Sequence, residues 1–213
     1  MILANVMTTN VVSIPSNTTL AEARRLMDAR DYSRLPVIDK GKLVGMVSKN
    51  SLEKYGPSKL SSYDFHELAY MLNKIQVKEV MHRDVVTASP DMYIDDAIAL
   101  VQSKRVGMLV VVEKDSVVGV VTTRDVFFRI VNPVFGVNTP GQRIYVENCS
   151  AAADIEKVMG VIKNFKVKIL AQFCAIIPDF NKNSLVVQMD GPEASKCVEA
   201  VKKLGYTVNE KAH

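Results

Sequence analysis

The apolar positions of the chain change period in a fixed order, and that order occurs twice. A short apolar run, Val11-Val12-Ser13, gives way at Ser16-Asn17-Thr18 to Leu20, Ala23, Leu26 and Met27, the spacing of a helix with one buried face. Two β-type runs follow, Leu35 to Ile38 and Leu43 to Val47, around Asp39-Lys40-Gly41-Lys42, whose glycine suits a tight hairpin turn. A second helix is expected over Lys49 to Lys54. The succession returns with Val85-Val86-Thr87, the helix-starting Ser89-Pro90-Asp91, and Ile94, Ala97, Ile98, Leu100 and Val101 at helical spacing. It continues through Met108 to Val112 and Val117 to Val121, around Glu113-Lys114-Asp115-Ser116, into a helix over Arg124 to Val131. Each unit reads β-α-β-β-α.

Shifting the chain by 74 residues superposes the units without a gap, Val6 on Val80 and Met7 on Met81; twelve of 48 paired positions are identical, which marks an internal repeat. A unit this small leaves one sheet face bare, so the copies are expected to pack together around a pseudo-twofold axis, with a cleft between them. Beyond the second copy, Asn132-Pro133, Gly136 and Pro140-Gly141 read as a linker. A new pattern then begins: strand at Arg143 to Val146, helix at Ala152 to Phe165, a long β-run at Lys168 to Ile177, strand at Leu185 to Met189, helix at Pro192 to Leu204, and strand at Tyr206 to Val208. That β-α-β-β-α-β order is ferredoxin-like. The expected organisation is therefore α/β (α+β): repeat 1 over 1–54, a connecting helical segment over 55–74, repeat 2 over 75–131, a linker over 132–142 and a smaller domain over 143–213. In the connecting segment, Tyr55-Gly56-Pro57-Ser58 is a turn, and Leu68, Met71, Leu72 and Ile75 form an apolar stripe that suits core or dimer packing, or a partner.

Composition narrows the function by exclusion. With 48% hydrophobic and 23% charged residues the chain has the balance of a folded protein. Its net charge of +4 comes from 27 basic and 23 acidic residues spread along the sequence, with no basic arm, so nucleic acid is not an expected partner. No apolar run reaches the roughly 20 residues of a membrane span, and Met1-Ile2-Leu3-Ala4-Asn5 lacks a signal pattern, so a cytoplasmic location is expected. Cys149, Cys174 and Cys197 lack metal-ligand spacing and are expected as buried reduced thiols; His66 and His82 stand apart, so no metal is expected. A Gly-x-Ser-x-Gly elbow, a phosphate-binding Gly-x-x-x-x-Gly-Lys loop and a close carboxylate pair are all missing, so no catalytic residue is assigned and the chain is read as a non-enzyme.

The candidate chemistry lies where the last strand of the second repeat runs into its helix. Thr122 and Asp125 stand three residues apart there, so both are expected to face one cleft. A carboxylate can accept from both hydroxyls of a ribose, and Thr122 with Arg124 can meet a phosphate. The same pair of residues also suits a helix cap, so capping and ligand binding both remain open.

The repeats resemble the CBS domain family. The carriers are Val-Met followed by Asn10-Val11-Val12-Ser13 or Asp84-Val85-Val86-Thr87, the central Ser33-Arg34-Leu35-Pro36-Val37, and Gly119-Val120-Val121-Thr122-Thr123-Arg124-Asp125, which is similar to the family's Gly-x-x-Thr-x-x-Asp ligand motif. The resemblance implies a non-catalytic regulatory pair that binds AMP, ADP, ATP or a related adenosyl ligand such as S-adenosylmethionine, commonly as a homodimer, and signals to a protein target by conformational change. It implies that Val120, Thr122, Arg124 and Asp125 hold the sugar-phosphate, with the base near Val12 and against Tyr32, Ser33, Arg34 and Pro36. In the first repeat Ser51 stands where the acid should, so a second cleft, with Ser48, Ser51, Val106, Gly107 and Met108, is expected to bind more weakly. Residues 143–213 resemble an ACT-like domain, and the whole order resembles the acetoin-utilisation type of CBS-ACT protein. Amino-acid-binding ACT domains carry a glycine in the first strand-to-helix loop, whereas Asn148-Cys149-Ser150-Ala151-Ala152 has none, so a dimerising or structural role is expected for this part. The competing reading is a partner-binding scaffold or transcription-linked regulator without a nucleotide.

Overall fold

The computed structural model describes residues 1–54, 72–177 and 182–212. The expected connecting segment from Tyr55 to Met71, with His66 and Leu68, lies outside the described residues. The chain divides into two compact units, Met1–Val126 and Phe127–His213.

In the first unit, helix α1 (Leu20–Arg30) starts one residue after the expected signal, because Thr19 and Glu22 form a reciprocal cap: the Glu22 amide donates to Thr19 Oγ1 at 3.3 Å and the Thr19 amide to Glu22 Oε2 at 3.0 Å. The Thr19 amide and then its hydroxyl, both donating to this carboxylate, hold the Glu22 carboxyl below its ordinary range. Leu20, Ala23 and Met27 turn inward onto Leu35, Val37 and Val47 of the antiparallel strands β1 (Arg34–Asp39) and β2 (Lys42–Ser48). Lys40 and Gly41, at φ 50° and 80°, make the tight turn that the glycine signalled. After helix α2 (Lys49–Glu53), the second repeat supplies β3 (Thr87–Ala88), helix α3 (Ile94–Lys104), β4 (Met108–Glu113), β5 (Ser116–Thr122) and α4 (Thr123–Val126). The register shifts at Val37/Ile38 in one hairpin and at Val111/Val112 in the other, so even the bulge repeats.

The opening segments are exchanged between the repeats. Thr8 and Val120 trade backbone hydrogen bonds at 2.9 and 3.0 Å, while His82 and Met46 do the same at 2.9 and 2.8 Å. The exchange explains two repeated residue pairs. A Cβ on Gly119 would stand 2.6 Å from Met7 Sδ, and a Cβ on Gly45 would stand 2.6 Å from Met81 Sδ, so each glycine admits the methionine carried in from the other repeat.

The second unit is an antiparallel sheet of β6 (Gln142–Glu147), β7 (Lys168–Ile177), β8 (Lys182–Asp190) and β9 (Val208–Ala212) in the order β7-β8-β6-β9. With helices α6 (Ala152–Ile162) and α7 (Ala194–Lys202) it gives β-α-β-β-α-β. Ile144, Val146, Leu185, Val187 and Met189 pack against Val158, Ile162, Cys197, Val198 and Val201. The other sheet face carries Arg143 and Gln188, both buried. Helix α5 (Asn132–Phe135) and the turn after it cover that face: Arg143 donates to the carbonyls of Phe135 and Gly136 and to Gln188 Oε1, and Gln188 Nε2 donates to Thr139 O at 2.7 Å. These bonds satisfy the Gln188 amide and one terminal nitrogen of Arg143, while Arg143 Nε is buried without a hydrogen-bond partner among the described residues.

Three local expectations shift. The helix expected over Arg124 to Val131 is α4 followed by a π-helical turn, Phe127–Val131, and the residues after it, expected as linker, include helix α5 with Pro133 in its first turn. The last strand lies at Val208–Ala212 rather than 206–208, because the polar Asn209-Glu210-Lys211 forms an edge paired to β6. Cys149 and Cys197 are buried, and burial raises both thiol pKa values, but Cys174 is exposed. Among the described residues, no helix is long and apolar enough to cross a membrane.

Candidate functional site

The β5–α4 junction forms because Thr122 and Asp125 cap one another. The Thr122 amide and hydroxyl donate to Asp125 Oδ2 at 2.9 and 2.5 Å, and the Asp125 amide donates to Thr122 Oγ1 at 3.3 Å. Thr8, brought in by the exchanged opening segment, donates through Oγ1 to Asp125 Oδ1 at 3.1 Å. The carboxylate is thus oriented from both ends of the first unit, and the capping anticipated from the sequence is present. Capping does not remove the pair from the cleft, because both residues line a cavity of about 510 Å³.

That cavity gathers Val120, Thr122, Arg124 and Asp125 from the second repeat and Val12, Tyr32, Ser33, Arg34 and Pro36 from the first. Every residue named for the main cleft therefore borders one space, whose size falls within the roughly 300–1,000 Å³ of small-molecule sites. Its apolar wall, from Val12, Leu35, Pro36 and Val120, can hold a flat ring, while Arg30, Arg34 and Arg124 offer cations beside Asp31 and Asp125. Arg124 Nη1 stands 3.9 Å from Asp31 Oδ2 with both side chains largely exposed, so this ion pair contributes little to stability.

A second cavity, also about 510 Å³, is lined by Ser48, Val106, Gly107 and Met108, as expected, but not by Ser51. Ser51 occupies the third position of α2 and completes a cap with Ser48: its hydroxyl donates to the Ser48 carbonyl at 2.8 Å, which leaves it only 4% exposed. Arg34, Gly107 and Met108 border both cavities. Gly107 matters for close approach, since a Cβ there would lie 2.8 Å from Arg34 Nη1.

Reading the sequence missed Thr8, Asn10, Arg30, Asp31 and Thr123 in the first cavity and His82, Arg83, Asp84 and Arg105 in the second. The 74-residue shift pairs Thr8 with His82, Asn10 with Asp84 and Asp31 with Arg105. That pairing is the signal that could have found them, once the exchange of opening segments is known.

The family model of the CBS domain matches residues 3–57 and 77–132. The chain belongs to the CBS domain family. Among curated proteins this CBS pair is similar to the uncharacterized protein MJ1232 of Methanocaldococcus jannaschii, at 34% identity over 131 residues, covering 60% of the chain and 38% of that protein. It is also similar to an inosine-5'-monophosphate dehydrogenase of Thermoplasma acidophilum, at 30% identity over 155 residues, covering 72% of the chain and 28% of the enzyme. The chain thus spans well under half the length of these relatives. Among solved structures, a proposed acetoin utilization protein (AcuB) from Vibrio cholerae matches with TM-score 0.53 and 28% identity, over 62% of this chain and 91% of that one. The CBS domain pair of protein MJ0100, in complex with 5'-methylthioadenosine and S-adenosyl-L-methionine, shares the fold at TM-score 0.50 and 24% identity, over 64% of this chain and 96% of that one.

Proposed function

We infer that this CBS pair is a non-catalytic sensor of an adenosyl ligand, AMP, ADP, ATP or S-adenosylmethionine, held in the first cavity. The observation that carries this reading is the meeting, around one cavity of about 510 Å³, of Thr122 and Asp125 from the second repeat with Val12 and Tyr32 to Pro36 from the first. Asp125 accepts from the ribose hydroxyls, the base lies on Val12 and the backbone of Tyr32, Ser33, Arg34 and Pro36, and Thr122 with Arg124 meets the phosphate. The adenosyl compounds in the MJ0100 pair, which shares this fold, support the choice of ligand class. A ligand gripped by both repeats biases their relative packing, and that bias is the signal a cytoplasmic, dimeric regulator passes to a target protein.

Thermal-shift titration of the chain with AMP, ADP, ATP and S-adenosylmethionine tests this. A true ligand at 100 times its Kd stabilises the folded chain by about 2.7 kcal/mol, and Asp125→Ala should abolish the shift while Ser51→Ala leaves it in place. Equal shifts in Asp125→Ala and the parent would remove Asp125 from the site.

A further inference from the structure

The 74-residue repeat relates the two cavities, so polar groups of one have counterparts in the other, and the counterparts differ in charge. Asp31 of the first cavity corresponds to Arg105 in the second, and Asp125 corresponds to Ser51, which is buried in its own helix cap. Both carboxylates that face the first cavity are thereby lost. Arg34, Arg83 and Arg105 face the second cavity beside one acid, Asp84. Among the described residues none of these three guanidinium groups is in an ion pair; Arg83 spends one bond on the Lys78 carbonyl at 3.3 Å.

The backbone supplies a second observation. Arg105 ends α3 at φ 52° and Asp31 ends α1 at φ 53°, a left-handed conformation that glycine adopts at least cost. Both repeats nevertheless keep a charged side chain there, and each of those side chains lines a cavity.

We propose that the second cavity is a site for a phosphate-rich anion carrying no nucleoside, held by Arg34, Arg83 and Arg105. Planar guanidinium groups bind phosphate oxygens in pairs of parallel hydrogen bonds, and three of them around one space suit a diphosphate better than a neutral sugar. Ser51, turned into its own cap, replaces Asp125 at the helix start, so ribose has no carboxylate there, and the one acid of this cavity, Asp84, stands where the first cavity has Asn10. This assignment rests on the second cavity alone and does not require a nucleotide in the first.

Isothermal titration of the full chain with sodium pyrophosphate tests it, with adenosine as the parallel ligand and at two salt concentrations. Pyrophosphate is expected to bind, more tightly at lower salt. Arg105→Gly should weaken it at least tenfold while leaving Tm unchanged or higher, since glycine relieves the left-handed backbone; Arg83→Gln should act in the same direction on affinity. Arg124→Gln, in the first cavity, should change pyrophosphate affinity less than twofold. Arg34 is left intact because it borders both cavities. Repeating the titration with a sugar bisphosphate separates inorganic from organic phosphate as the source, and dependence on Arg105 for either one supports the site. No binding of pyrophosphate or sugar bisphosphate at millimolar concentration overturns the proposal, as does greater sensitivity to Arg124→Gln than to Arg105→Gly. Loss of the nucleotide response with pyrophosphate binding intact would count against the adenosyl reading only.

Discussion

Asp115 stands at φ 66° in the β4–β5 turn, where its counterpart in the β1–β2 turn is Gly41 at φ 80°. Both central residues of such a turn need positive φ, and a side chain with a Cβ pays for it in sterics. Asp115 is solvent-exposed, so Asp115→Gly removes that cost without opening a cavity. The expected gain is about 0.5–1 kcal/mol, offset in part by the greater freedom of glycine in the unfolded chain; a higher urea midpoint at unchanged slope checks it. Asp125 is the opposite case, since its carboxylate serves a helix cap and borders the first cavity together. Asp125→Ala therefore lowers the starting stability by about 1 kcal/mol through the cap alone, and the size of the nucleotide-induced shift, measured against each variant's own ligand-free Tm, carries the information. The sequence announced this dual role through Thr122 and Asp125 at three-residue spacing. It could not announce Thr8, because the Val-Met segment that carries Thr8 pairs with the other repeat, and one strand's pattern does not name its neighbour.

At the level of elements, the contact that ties α6 to the approach of β9 is the 2.7 Å hydrogen bond from the Tyr206 phenol to Asp154 Oδ1. That bond to a carboxylate, with the negative charge beside it, pushes the Tyr206 pKa up to about 12 from an ordinary 10.0. A phenol that ionises later in the folded state stabilises the fold while it remains protonated. Its contribution is complete below about pH 10 and vanishes as pH rises through about 12. Urea midpoints from pH 8 to 12 should therefore separate Tyr206→Phe from the parent at pH 8 and converge toward pH 12; a constant gap would mean that the phenol's proton is not what holds the contact. The elements themselves were legible because their apolar spacing is set by burial: α1 and α3 expose one face, and the hairpins alternate around a turn. Legibility failed where burial gives no period. Val208–Ala212 pairs its backbone with β6 while Asn209, Glu210 and Lys211 between its ends are polar, and Asn132–Phe135 is helical although Pro133 and the glycines after it read as a linker.

At the scale of the whole molecule, the proposed homodimer has a place to look. Phe127 and Phe128 are 55% and 61% exposed, and Val134, Phe135 and Val137 follow them as further exposed apolar residues. Five exposed apolar side chains thus fall within eleven residues of one surface segment, and aromatics are the residues on which association energy concentrates once buried. The Phe135 ring is also anchored, at 4.6 Å from the ring of Phe173, which holds the segment against the C-terminal sheet. If this surface joins two copies, Phe127→Ser combined with Val134→Ser should raise the dimer dissociation constant about tenfold to a hundredfold, at 1.4 kcal/mol per factor of ten. Light scattering across a dilution series reads that change directly. The same double variant should keep its Asp125-dependent nucleotide shift, because every residue lining the first cavity precedes Phe127. A variant that stays dimeric at the parent's dilution midpoint places the dimer contact elsewhere, whereas one that loses both dimer and nucleotide response would make association a condition of binding.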